Sequence, residues 1–242
     1  MKTILVNTVV TGLGWLALAA FLYTRERKVH TPSSFTKSAT KSILQLIHVI
    51  TVCAGGAIFA LRFEPQAAIA ADALWHFVLC SALSFYILDI ANMVYDRKPH
   101  WRLICHHVMA TMVMMYAMVT NTGAWLVAAG CIFAEFPGIF YFSTLVMKRL
   151  GLKKPGLQLC TMGLQLFFVP LLRFAGTVGL TLWYLNAVNY EWMQVAIALT
   201  CNVYNMYLVH MTITRITPRF KALLEQTQTP QLNTLEIRLA NA

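Results

Sequence analysis

Apolar residues fill long uninterrupted runs in this chain, and the polar positions gather between them. The runs extend from Ile4 to Tyr23, Ile43 to Leu61, Ala73 to Tyr95, Leu103 to Val119, Ala124 to Met147, Leu157 to Leu185 and Trp192 to Ile213. Most are long enough to cross a hydrocarbon core of about 30 Å as α-helices. The pattern predicts an all-α polytopic membrane helix bundle of about seven transmembrane helices. The first run resembles a signal peptide in position, but its length and the lack of a small-residue cleavage site before Thr24-Arg25-Glu26-Arg27-Lys28 predict a retained span.

Composition agrees: 58% of the 242 residues are hydrophobic and 12% charged, with a mean hydropathy of +0.62. A soluble domain carries about twice that share of charge. The net charge of +10 is mostly a topology signal. With seven spans, 16 of the 19 Lys and Arg residues fall on one side, among them Arg25, Lys37, Lys41, Arg97, Lys98, Arg149, Lys153 and Arg215. Lys2 and Arg62 fall on the other side and Arg173 within a span. The positive-inside rule then puts the amino terminus in the lumen or outside and the carboxyl tail in the cytosol. Basic cytosolic loops also attract anionic head groups or the phosphates of a cytosolic donor; no feature points to nucleic acid.

The chain divides into a first helix with a basic loop (1–39), a membrane domain (40–215) and a polar tail (216–242). The first loop, Thr24 to Ser42, contains a Thr-Pro-Ser-Ser run, and the tail after Pro218 reads as mobile. The six cysteines lie within predicted spans without a Cys-x-x-Cys spacing and read as buried small apolar residues. Met109, Met112, Met114, Met115 and Met118, on one predicted helix, either pack adaptably or line a lipid-shaped space.

The chemistry lies in polar residues that lipid would penalise: His48, Asp89, Asn92, His106, His107, Glu135, Arg173, Asn202, Asn205 and His210. Tyr86, Asp89, Asn92, Met93 and Asp96 share a helical face of the third span. The third span approaches the cytosol and the fourth leaves it, so Asp89 and the pair His106-His107 can meet in the cytosolic half. Successive residues point about 100° apart, so one histidine of the pair faces substrate and the other orients it or bonds a neighbouring helix. Thr111 lies one turn beyond His107. A carboxylate beside an imidazole fixes its tautomer and makes its other nitrogen a better base or nucleophile. An interhelical hydrogen-bond network is the structural alternative. Glu135 precedes Pro137, which can bend the fifth span; Arg173 is expected near Glu135 and able to pair with it. Asn202 and Asn205 share a face that suits interhelical bonding, and His48, His76 and His210 read as satisfied or interfacial. A retinal protein needs a lysine in the last span, which has none. Adjacent histidines diverge and no repeated histidine box occurs, so no metal is expected.

Five segments occur in an informative order: Phe85-Tyr86-Ile87-Leu88-Asp89, His106-His107, Glu135 with Pro137, Leu166-Phe167-Phe168-Val169-Pro170-Leu171-Leu172-Arg173, and Asn205-Met206-Tyr207. Together they resemble the TLC-domain family over roughly residues 40 to 215. The run Gly123 to Glu135 differs from the His-Asp-x-x-Ser-Asp-like stretch of full ceramide synthases, so the smaller TLC-domain-containing proteins are the nearer likeness. The resemblance implies a membrane fold of the endoplasmic reticulum or a related membrane and lipid acylation or trafficking. The expectation is a membrane lipid acyltransferase with acyl-CoA as co-substrate, no bound cofactor, and a sphingoid or glycerophospholipid acceptor. His106, His107 and Asp89 are the catalytic candidates; Tyr86, Asn92, Thr111, Glu135, Arg173 and Asn205 are the substrate-binding candidates. The alternative is a non-enzymatic lipid-binding protein that regulates phospholipid composition or traffic. Expected partners are membrane lipids and acyl-CoA, with a homo-oligomer left open.

Overall fold

A computed structural model describes residues 2–29, 38–64, 68–69, 72–95, 101–152, 154–187 and 192–240, and side chains only as far as 227 in the last segment. Its helices are α1 (Lys2–Val29), α2 (Ala39–Arg62), α3 (Ala73–Tyr95), α4 (Trp101–Thr120), α5 (Ala124–Arg149), α6 (Pro155–Phe168), α7 (Thr177–Ala187) and α8 (Trp192–Ala240). No strand occurs among the described residues. The all-α polytopic bundle is therefore the architecture of the chain. Six stretches are long and apolar enough to cross a membrane: α1 to α5, and α6 with α7 as one stretch, Pro155–Asn186. The seventh expected span falls on α8, whose first turns carry Gln194, Asn202 and Asn205 and are less apolar.

The core lies where α2, α3, α4 and α5 meet, around Trp75, Leu79, Tyr86, Met114 and Ala128. Two glycines bring α2 close to its neighbours. A side chain at Gly55 would press on Val78 of α3 at 2.8 Å, and one at Gly56 would meet the Ala128 carbonyl of α5 at 3.0 Å. Small residues at such crossings let membrane helices pack by close van der Waals contact. Helix α1 lies outside this core against α3, tied by Thr11 Oγ1 to Ser84 Oγ at 2.7 Å and by Trp15 Nε1 to Ser81 Oγ at 3.0 Å.

Between α6 and α7 the backbone widens into a π-helical stretch, Val169–Gly176, which contains Pro170. Proline has no N–H to give the preceding turn, and the wider register absorbs the missing bond. Two expectations change. Helix α1 runs through Thr24 to Val29, so the first loop begins later than predicted; its Thr31 to Ser34 run and Lys37 lie outside the described residues, as do Asp96, Arg97, Lys98 and Lys153. The segment expected as a mobile tail is helical, because α8 continues through Pro218 to Ala240. Pro218 costs one backbone bond, and the following Lys221, Ala222, Leu223, Leu224 and Glu225 are strong helix formers.

Candidate functional site

Two carboxylate and imidazole pairs lie side by side in the core. In the first, His107 Nε2 of α4 is 2.9 Å from Asp89 Oδ2 of α3, and Lys41 Nζ of α2 is 2.7 Å from Asp89 Oδ1. All three side chains are buried. Lys41 enters because Ser38 caps α2, its Oγ accepting from the Lys41 N–H, while the Glu26 carboxylate of α1 accepts from the N–H groups of Ala39 and Thr40. That capping draws the first turn of α2 into the bundle and carries Lys41 inward. Lys41 is thus a buried ion-pair partner rather than a loop charge.

The second pair joins α4 to α5. His106 Nε2 lies 3.0 Å from Glu135 Oε1, and Tyr86 of α3 donates its hydroxyl to the same oxygen at 3.1 Å. A carboxylate only accepts, so in this geometry Nε2 carries the proton and Nδ1 keeps the free lone pair. Tyr86 joins the two pairs, since its ring also stacks on His107 with 4.6 Å between centroids. His48, read from sequence as a satisfied or interfacial histidine, belongs to this group as well. It is 3% exposed, stacks on Phe85 at 4.1 Å and meets Tyr86 edge-on at 4.9 Å, with no hydrogen-bond partner at Nε2.

The second pair faces the larger open space. Between α4, α5, α7 and α8 lies a cavity of about 1040 Å³, its open mouth included. Tyr86, His106, Glu135, Tyr204 and Asn205 line its polar end. Met109, Val113, Met114, Leu126 and Ile197 form an apolar stretch, with room left by Gly130 and Ala134. Part way along, Asn202 Nδ2 donates to Thr181 Oγ1 at 2.8 Å. At the far end Gln194 Nε2 donates to Thr122 Oγ1 at 2.9 Å, and Tyr184 donates its hydroxyl to Gln194 Oε1. Gly123 turns the chain there with φ of 66°, a left-handed conformation that favours glycine.

Tyr86, His106, Glu135 and Asn205 are thus gathered at one cavity end, whereas His107, Asp89, Asn92, Thr111 and Arg173 do not line it. Asn92 borders a smaller pocket with Lys41, Asp89 and Trp15. Thr111 Oγ1 and His107 Nδ1 are buried without a hydrogen-bond partner. The expected Arg173 to Glu135 pairing does not occur among the described residues. Arg173 instead donates Nε and Nη2 to the Ala134 carbonyl, with Nε at 2.8 Å. That carbonyl adjoins the one from which Pro137 withholds an N–H, and the guanidinium supplies donors to this weakened turn. His76 contacts Asn7 at 3.4 Å, and His210 is exposed. Cys105 and Cys160 are exposed rather than buried, lying on outward helix faces. Among the described residues no group of three or more His, Cys, Asp or Glu side chains is placed to hold a metal.

Lys41 was a functional-site neighbour that sequence reasoning passed over, and His48, named among the polar residues of the spans, was read as satisfied or interfacial instead of as part of a site. The only available signal was that both stand on the buried face of α2, seven residues apart. No protein-family model and no curated protein matches the chain.

Proposed function

We propose that the protein is a membrane lipid acyltransferase that takes an acyl group from acyl-CoA and passes it to a sphingoid or glycerophospholipid acceptor. One observation carries this reading: a carboxylate-held imidazole, His106, stands at the polar end of a long apolar cavity. The cavity wall suits an acyl chain, and the imidazole suits proton transfer at the chain's reactive end.

In the proposed reaction Glu135 accepts a hydrogen bond from the His106 Nε2–H and so leaves Nδ1 as the base. Nδ1 removes the proton from the acceptor hydroxyl or amine as its lone pair attacks the thioester carbonyl. The carbon to sulfur bond then breaks, and the CoA thiolate leaves with the proton from Nδ1. The Asn205 amide, which also lines the cavity, serves as the donor to the oxygen that becomes negative. The resemblance to TLC-domain proteins supports this reading. So does the charge bias, which favours a cytosolic His106 end and a lumenal amino terminus, and the resemblance implies the endoplasmic reticulum or a related membrane.

The test is incubation of purified protein with labelled acyl-CoA and a membrane-lipid extract, followed by mass spectrometry of lipids and protein. The expected result is a labelled lipid that disappears in a folded His106→Ala variant. A co-purifying lipid without turnover in the wild type overturns the transferase and makes the cavity a lipid-carrying site.

A further inference from the structure

A thioester whose carbonyl reaches His106 must leave its polar carrier outside the cavity, and the surface beyond the polar end is basic and aromatic. Arg102 lies four residues before His106 on the same side of α4, about 6 Å further out at 1.5 Å per residue. Tyr204 of α8 stacks near His106, with 6.2 Å between ring centroids, and donates its hydroxyl to the Arg102 carbonyl. The Arg102 guanidinium lies over Tyr207, 5.6 Å from the ring centroid. Arg102 is exposed and already held in place by an aromatic face.

Helix α8 continues this surface outward. Arg215 follows Tyr204 by eleven residues, about three full turns, so it stands on nearly the same side of α8 and about 16 Å further from the cavity. Arg219 lies one turn beyond, and both are exposed. No acidic residue interrupts α8 between Trp192 and Arg219. The spacing resembles that of an extended thioester carrier, with an uncharged arm between its sulfur and its phosphates. Guanidinium groups recognise phosphate through paired donors, which lysine does not reproduce.

Resting on the acyltransferase reading, we propose that Arg102, Arg215 and Arg219 form the donor's phosphate site, Arg102 and Arg215 holding the diphosphate of CoA and Arg219 its 3′-phosphate. The helical continuation of α8 beyond the membrane then has a use: it fixes the distance between the anchored phosphates and the reacting carbonyl.

Binding of CoA, which needs no turnover, separates this proposal from the reaction itself. The full-length protein in nanodiscs of neutral phosphatidylcholine is titrated with CoA and with 3′-dephospho-CoA at low and high salt. The expected result is salt-sensitive CoA binding, weakened about tenfold by Arg102→Ala or Arg215→Ala through loss of a charge-assisted contact. Arg215→Lys recovers only part of it. Arg219→Ala weakens CoA but leaves 3′-dephospho-CoA unchanged, and His106→Ala leaves both affinities intact. Unchanged CoA affinity in the Arg102→Ala/Arg215→Ala double variant overturns the phosphate site, while labelled-lipid production in that variant keeps the transferase standing. Arginine-dependent binding of phosphatidic acid added to the nanodisc, without binding of CoA, also overturns the donor assignment and makes the surface a head-group site.

Discussion

Asp89 with His107 and Glu135 with His106 pair the same functional groups in different electrostatic surroundings. Each oxygen of Asp89 has its own donor, and one donor is the Lys41 ammonium, so the charge of that carboxylate is balanced inside the protein. Glu135 receives both Tyr86 and His106 on one oxygen, and no Lys or Arg pairs with it among the described residues. Its imidazole partner, His106, also lines the cavity. A closed ion pair acts as a strut, whereas a carboxylate and imidazole that face a cavity can take part in a reaction. Neighbouring histidines thus meet different carboxylates because one residue of helix turns a side chain by about 100°.

The largest effect expected from breaking this comparison is on stability. Removing one member of a buried pair leaves the other charge uncompensated, so Asp89→Ala or Lys41→Met alone should cost about 3–5 kcal/mol. Thermal unfolding in detergent, followed by tryptophan fluorescence, measures it. The Lys41→Met/Asp89→Leu double variant should regain most of the loss, since the pair's own desolvation cost disappears with it. Single variants that unfold at the wild-type temperature would deny the first pair its role as a strut.

Next comes the second pair, where the effect belongs to rate. His106→Ala removes the proposed base and should lower acyl transfer per folded molecule by about 100-fold or more, within the range for general-base removal, over and above any stability lost with its contact to Glu135. His107→Ala should do the reverse, lowering the unfolding temperature while a folded fraction keeps turning over. Equal loss of turnover in two equally stable variants would erase the distinction between the histidines.

The sequence made the helices legible because hydropathy reports on lipid directly, and it marked His106, His107, Asp89 and Glu135 because ionisable groups are rare in such helices. It also established that the adjacent histidines diverge. Which carboxylate each would meet was not readable, since that depends on how α4 rotates between α3 and α5. Lys41 was hidden for a different reason. Near a helix start it counts as an ordinary loop charge, and only the docking of α1 through Glu26 onto the α2 terminus pulls it inward. Arg173 was misplaced because two opposite charges at similar depth suggest an ion pair, whereas the proline-weakened turn of α5 offers a carbonyl that the guanidinium satisfies.

A smaller effect sharpens the comparison at the residue shared by both pairs. Tyr86→Phe keeps the ring that stacks on His107 and removes only the hydroxyl bonded to Glu135. The loss is one hydrogen bond to a charged group, about 1.5 kcal/mol or roughly tenfold in rate if its orienting effect is expressed in the transition state. Steady-state kinetics with labelled acyl-CoA should show that drop, with the stability contributed by Asp89 and Lys41 intact.

The smallest effect concerns Thr111, one turn beyond His107 and outside the cavity. Its hydroxyl is buried with no partner, like Nδ1 of His107. Replacing a buried, unbonded hydroxyl by a methyl group removes a desolvation cost, so Thr111→Val should leave turnover unchanged and shift stability by less than about 1 kcal/mol, toward greater stability. The sign is informative. Destabilisation by a similar amount would mean that the hydroxyl is hydrogen-bonded in the working protein, with an ordered water between Thr111 and His107 as the simplest link. His107 would then sit in a hydrated relay instead of a dry strut, and the contrast between the two pairs would narrow to the single fact that His106 meets the cavity.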